Sequence, residues 1–331
     1  MVRLGVIGCG RIGRVHADAV AVHPRAELAV VYDPIEQSAR EVGEGFGTRW
    51  VTDVDAVLAD PAIDAVVVAS PTPTHVDLLT RAVRAGKAVL CEKPIDLDLA
   101  RVDECRAELG AAADGVMVGF NRRFDPTFRD IRDRVAAGEI GGLEQLVIIS
   151  RDPSPPPAAY VATSGGLFRD MTIHDFDMAR FFLGEVVEVT ATGSNLVSPE
   201  IAAAGDIDGA VVVLRGASGA LATVTNSRRC AFGYDQRLEA FGELGMLTAA
   251  NQLPTSARFS GATATEVAPP YHHFFLDRYT PAYRAEMDHF VASIETGTRP
   301  SPGFADGRAA LALADAAVES LRTGATVKVG S

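Results

Sequence analysis

The segment Gly8-Cys9-Gly10-Arg11-Ile12-Gly13 constrains this chain more than any other part of it. It follows a short apolar run, Val2–Ile7, and opens a stretch, Arg11–Val22, with helical spacing of its apolar residues. Three glycines at this spacing have separate uses. Gly8 permits a tight strand-to-helix turn, Gly10 lets backbone approach a bulky anion, and Gly13 lets the helix lie close to the strand. Amide donors and the positive dipole end of the helix, from Arg11 and Ile12 onward, then suit a pyrophosphate. The Arg11 side chain can also reach a phosphate. Roughly 20 residues on, Asp33 ends a second apolar segment, Glu27–Asp33, where the dinucleotide fingerprint carries an acid for ribose hydroxyls. A carboxylate at that position repels a 2′-phosphate, so the expected cofactor is NAD rather than NADP.

The pattern continues in the same manner. Asp64–Ser70 contains an unbroken apolar run, typical of a strand buried on both faces. Lys87–Glu92 and Val116–Phe120 follow, with helical stretches at Pro34–Glu44, His75–Ala85 and Asp98–Leu109 between the strands. Such alternation predicts an α/β domain with a parallel, Rossmann-type sheet over residues 1–121. Beyond it, helical stretches near Pro126–Ala137 and Thr172–Phe182 flank a segment read as irregular. Alternating runs at Val186–Gly193, Ala210–Leu214, Ala220–Asn226, Arg237–Phe241 and Met246–Ala249 predict a largely antiparallel, open sheet. Residues 122–331 are therefore expected to form an α+β domain for substrate binding and oligomerisation. Its C-terminal helix is expected to pack back on the first domain.

Charge and cysteine content exclude other classes. A formal charge of −12 on 331 residues repels nucleic acid and anionic membrane. The longest apolar runs are too short for a secretory leader or a membrane span, which points to the cytoplasm. Cys9, Cys91, Cys105 and Cys230 lack paired spacing, so free thiols are expected and no metal site.

Two further motifs narrow the reading. Ser70-Pro71-Thr72-Pro73-Thr74-His75 follows one strand and Cys91-Glu92-Lys93-Pro94 ends the next. With the glycine motif, they resemble the Gfo/Idh/MocA family of NAD(P)-dependent oxidoreductases over the whole chain. That resemblance implies cofactor contacts from Ser70, Thr72, His75, Glu92 and Lys93, in addition to Gly8, Gly10, Arg11, Ile12 and Asp33. It also implies that Lys93 sits beside the nicotinamide and touches substrate, that the proline after it is commonly cis, and that the protein is a homotetramer. Within the family the likeness is to members that oxidise inositols. It is carried by Arg151-Asp152-Pro153 through Pro157, Gly165 through Asp177, and Ser227-Arg228-Arg229 through Arg237.

Asp170, His174 and Asp177 share one face if they lie on one helix. A solvated face is one reading of that spacing; a polar stripe facing a cofactor cleft is the other. Oxidation of a secondary alcohol requires removal of the hydroxyl proton and transfer of a hydride. Histidine titrates near neutral pH and suits the first task, so His174 is the candidate base. Lys93 would stabilise charge on the hydroxyl oxygen, and Asp170 would hold the lysine or the imidazole. Mixed donors and acceptors from Arg123, Arg151, Asp152, Asp177 and Tyr234 would suit a neutral polyol such as inositol. Related members often carry histidine near position 151, where this chain has arginine, so the preferred isomer is open. Scyllo-inositol, D-chiro-inositol and glucose are alternative substrates, and a non-catalytic NAD-binding regulator is an alternative class.

Overall fold

The computed structural model describes residues 1–329. It divides into two compact units, one of residues 1–124 and 280–311, the other of residues 125–279 and 312–331. The chain thus returns to the first unit over residues 280–311.

In the first unit, β1 (Val2–Ile7), β2 (Ala26–Tyr32), β3 (Arg49–Val51), β4 (Ala65–Val68), β5 (Ala88–Glu92) and β6 (Val116–Gly119) form a parallel sheet in the order β3-β2-β1-β4-β5-β6. Every residue of β4 is buried, as its apolar sequence demands. Leu4, Val6, Val67, Leu90 and Met117 make a core with Met287, Phe290 and Val291 of the helix Phe275–Thr296. The strand order reverses between β1 and β4. At such a switch point the loops leaving the two carboxyl ends diverge and open a crevice for a ligand. Gly8 follows β1 there, and Ser70 lies just past β4.

The second unit is built on seven strands. They are β7 (Leu143–Arg151), β8 (Val186–Ser194), β9 (Gly209–Gly216), β10 (Leu221–Ser227), β11 (Asp235–Gly242), β12 (Gly245–Ala249) and β13 (Val327–Lys328), in the order β12-β11-β7-β10-β9-β8-β13. All pairings are antiparallel except that of β7 with β10. β7 lies inside the segment read as irregular. Its alternation, Leu146, Ile148 and Ser150 inward, is diluted at the start by Glu144 and Gln145 and interrupted by the adjacent pair Ile148-Ile149.

The inward face of this sheet packs against the helix Ile173–Leu183. A buried polar network fixes that helix. Asp175 accepts hydrogen bonds from the Ser150 hydroxyl at 2.6 Å and the Asn226 amide at 2.8 Å. Thr172 donates to Asn226 at 2.7 Å. Each buried polar atom so engaged avoids an unsatisfied desolvation cost of about 1–3 kcal/mol. The other face leaves Val211, Val213, Phe241 and Met246 exposed.

The continuous helical stripe expected for Asp170, His174 and Asp177 needs correction. Residues Phe168–Thr172 form a π-helical turn, and the α-helix begins at Ile173. Asp170 therefore lies on a wider turn than His174 and Asp177, and is not held in strict register with them. Single π turns within helices recur at functional sites.

Among the described residues, no helix is long and apolar enough to cross a membrane, and no His/Cys/Asp/Glu group is arranged to hold a metal. The four cysteines are buried free thiols.

Candidate active site

In the first unit the site is made chiefly of backbone. Gly8 has φ 103°, a left-handed conformation that favours glycine, and a Cβ there would meet Ala69 O and Ser70 N at 2.7 Å. At Gly13 a Cβ would collide with the carbonyl oxygen of Gly8, so helix and loop can touch only through glycine. Gly10 behaves differently: a Cβ would meet nothing within 4 Å. The space above it is open, and no side chain caps the helix Arg11–Ala21 that it begins. Uncapped first-turn amides beside an open glycine are what a pyrophosphate requires. Ile12 is half-buried and Arg11 exposed at that helix start.

Asp33 is pre-set for ribose. Its Oδ2 accepts the Cys9 N–H and its Oδ1 the Ile35 N–H, both at 2.9 Å. Each oxygen keeps a further acceptor direction for a hydroxyl. Burial and the Asp33 charge push the Cys9 thiol up to about 12, so it stays protonated beside the glycine loop. These residues fit an NAD dinucleotide.

Other residues expected at the cofactor are arranged more variously. Thr72 and Lys93 are half-buried, and the Lys93–Pro94 peptide is cis. The Ser70 hydroxyl lies 2.6 Å from that of Thr74. His75 is buried, and its Nδ1 and Nε2 lie 2.8 Å from the carbonyl oxygens of Pro94 and Ser70. Both ring nitrogens thus face protein carbonyls. His75 thereby braces two loops at the carboxyl ends of β4 and β5.

Glu92 is buried as well. It accepts the Lys93 N–H at 3.2 Å and lies 2.7 Å from Nε2 of His16, which stacks edge-on to Tyr283. Next to this pair, burial and then the charge of Glu92 push the Glu286 carboxyl well above its ordinary range. Arg123, expected at the substrate, is buried and pairs with Asp306 at 3.0 Å. That pair lies within the first unit.

In the second unit the site is made of side chains from separate segments. Asp170 accepts the Tyr160 hydroxyl at 2.8 Å on one oxygen and Arg228 Nη2 at 2.9 Å on the other. Arg228 Nη1 also reaches Asp152 at 3.2 Å. Asp177 is buried and His174 half-buried on the helix that follows. Arg151 pairs with the fully buried Asp235 at 2.9 Å, and Arg237 binds that same carboxylate through two nitrogens. Tyr234 is buried, and its ring meets those of Tyr279 and Phe274 edge-on. Gly233, at φ 111°, makes room for the carbonyls of Tyr271 and His272.

Sequence reasoning missed Tyr160, Arg228, Asp175 and Glu286. Arg228 had a signal, since it lies in the quoted Ser227-Arg228-Arg229 motif. Asp175 likewise lies in the quoted Gly165–Asp177 stretch; Tyr160 and Glu286 had no signal, because only folding brings their partners together.

Residues 2–120 match the family model described as "Oxidoreductase family, NAD-binding Rossmann fold", and residues 128–248 match the "GFO/IDH/MocA C-terminal domain". The chain belongs to the Gfo/Idh/MocA oxidoreductase family. Like other Gfo/Idh/MocA proteins, it is an oxidoreductase with an NAD-binding Rossmann domain. It is 50% identical over 321 residues to inositol 2-dehydrogenase of Rhizobium meliloti, covering 97% of each chain. The crystal structure of a myo-inositol dehydrogenase from Corynebacterium glutamicum matches with a TM-score of 0.98 and 53% identity, over 100% of this chain and 99% of that one. A scyllo-inositol dehydrogenase from Lactobacillus casei, solved with NAD(H) and scyllo-inositol, matches with a TM-score of 0.90 and 29% identity over the full length of both.

Proposed function

We propose that the chain oxidises myo-inositol at C2 to scyllo-inosose (2-keto-myo-inositol) with NAD. The reading is carried by its full-length 50% identity to an inositol 2-dehydrogenase, in a chain that has Lys93, Asp170 and His174 at the matching motifs. NAD, when bound, supplies the hydride acceptor.

The residues then divide the remaining work. His174 takes the hydroxyl proton as general base. The positive charge of Lys93 stabilises the alkoxide character that develops on the oxygen; such preorganised charge is a large term in catalysis. Asp170, held by a hydroxyl and a guanidinium, sets its carboxylate to favour the imidazolium that His174 becomes. Asp152 and Asp177 serve as acceptors for the other hydroxyls of the ring, and Arg151 as a donor beside them. Gly8, Gly10, Arg11 and Ile12 hold the pyrophosphate, and Asp33 selects NAD over NADP.

Scyllo-inositol is the second candidate, because the Lactobacillus casei relative of the same fold was solved with it. The exposed apolar face of the second sheet supports assembly as a homotetramer. A cytoplasmic location goes with the free thiols.

A substrate panel tests the reading. Absorbance at the NADH band should rise with NAD and myo-inositol, more slowly with scyllo-inositol, D-chiro-inositol and glucose, and least with NADP. Tight NAD binding without turnover of any polyol would instead identify a cofactor-binding regulator.

A further inference from the structure

Arg228 stands where two strand ends meet. β10 runs parallel to β7 with Ser227 beside Arg151, so the residues that follow, Arg228 and Asp152, leave the sheet together. Backbone bonds fix both exits: Asp152 N–H donates to Ser227 O at 2.9 Å and Arg228 N–H to Asp208 O at 2.8 Å. Asp208 is itself fully buried, and its carboxylate accepts the amides of Leu196, Val197 and Ser198. The Arg228 side chain is only 4% exposed, and its fork spans Asp152 on one arm and Asp170 on the other.

Stability alone is a weak reason for such an arrangement. Desolvation offsets most of the Coulombic gain of a buried ion pair, and well-packed apolar side chains often serve as well. A guanidinium does supply geometry, because its planar, rigid donors fix the carboxylates they bind. One positive charge between two carboxylates also leaves a surplus negative charge in the trio. With Tyr160 on its other oxygen, both carboxylate oxygens of Asp170 are held.

We propose that Arg228 is a positioning residue for the reaction: it aims Asp170 and holds Asp152 at a set distance from it. The inference rests on the proton-transfer reading of Asp170 and His174 above. Its effect passes through the two carboxylates it binds.

The test is steady-state kinetics of the full chain with NAD and myo-inositol. Arg228→Met should lower kcat about 100-fold, the scale of one positioned catalytic interaction. Arg228→Lys, which keeps the charge but not the fork, should lower kcat about 10-fold, a loss of 1.4 kcal/mol. NAD affinity, measured by fluorescence quenching, should stay within about two-fold of wild type in both. Guanidinium at non-denaturing concentration should restore part of the kcat of Arg228→Ala, and an equal concentration of methylammonium should restore less.

In an Asp170→Asn background, Arg228→Met should lower kcat little further, because residues acting as a unit are not additive. Equal losses in both backgrounds, or a kcat unchanged in Arg228→Met and Arg228→Lys, would overturn the proposal. Should Arg228→Met fail to fold, Arg228→Lys and the guanidinium series decide it. Full turnover by Asp170→Asn itself would overturn the reading of Asp170, and the inference with it.

Discussion

The glycine loop of the first unit and the carboxylate–histidine segment of the second are built by different means. The loop uses backbone: an open glycine, uncapped amides and two glycines with no room for a Cβ, all between Gly8 and Gly13. The second segment uses side chains gathered from afar. Asp170 is held by Tyr160, 10 residues back, and by Arg228, 58 residues on. A backbone site tolerates almost no change in residue size but needs few partners. A side-chain site tolerates changes in size but fails when one partner of a network is lost. The first kind is suited to a cofactor of fixed shape, the second to a substrate whose hydroxyls must be told apart.

Substitutions can break or sharpen that contrast. The largest effect is expected at His174. His174→Ala should lower kcat about 10²- to 10⁴-fold, the range of a general base, and leave NAD affinity nearly intact. Stopped-flow kinetics and NAD titration separate the two quantities. Loss of both together would mean that the two sites are not independent in this way.

Gly13→Ala comes next. The new methyl meets the Gly8 carbonyl, and overpacking of this kind costs about 1–3 kcal/mol, occasionally more. Melting temperature and NAD binding should fall together. Gly10→Ala is the matched control, since space is open there. It should keep the melting temperature and weaken NAD. Equal thermal losses in the two variants would refute the backbone account.

Asp33→Ala removes two backbone hydrogen bonds along with the ribose acceptor. Hydrogen bonds to a charged group are worth about 1.5–3 kcal/mol, so NAD should weaken roughly 10- to 100-fold. NADP should weaken less or gain. An unchanged preference for NAD would remove Asp33 from the selection.

The smallest effect is one on stability. The folded Glu286 carboxyl titrates above its unfolded value because burial, and then Glu92, disfavour its charge. Above the unfolded pKa the unfolded chain has lost this proton and the folded one keeps it. Stability therefore falls as pH rises from that point until the folded group ionises. Glu286→Gln keeps the shape without the titration. It should raise the melting temperature at pH 8 and do so less at pH 5, with each kcal/mol worth about 2–4 °C in a domain of this size. A gain equal at both pH values, or none, would contradict a buried neutral acid.

The same contrast explains what could be read in advance. The Rossmann unit was legible because its rules are local: glycines at fixed spacing, an acid after the second strand, apolar runs for buried parallel strands. Lys93, Asp170 and His174 stood out through motifs. The network around them did not. β7 was hidden by weak alternation, yet it carries Ser150, Arg151 and Asp152. Arg151, Asp152 and Tyr234 were expected at the substrate for their chemistry, but nothing in their spacing displays the Asp235 and Arg228 partners or the aromatic neighbours that folding brings to them. The partners of His75 and Arg123 were equally hidden, because a sequence does not display a carbonyl or carboxylate that folding supplies.

The central claim is hydride transfer from C2 of myo-inositol to NAD, and myo-inositol deuterated at C2 tests it most directly. The account predicts one deuterium in the reduced nicotinamide by mass spectrometry, an unlabelled ketone, and a slower reaction than with the protium substrate when transfer limits the rate. Reduced cofactor without deuterium, or no reduced cofactor at all, would contradict it.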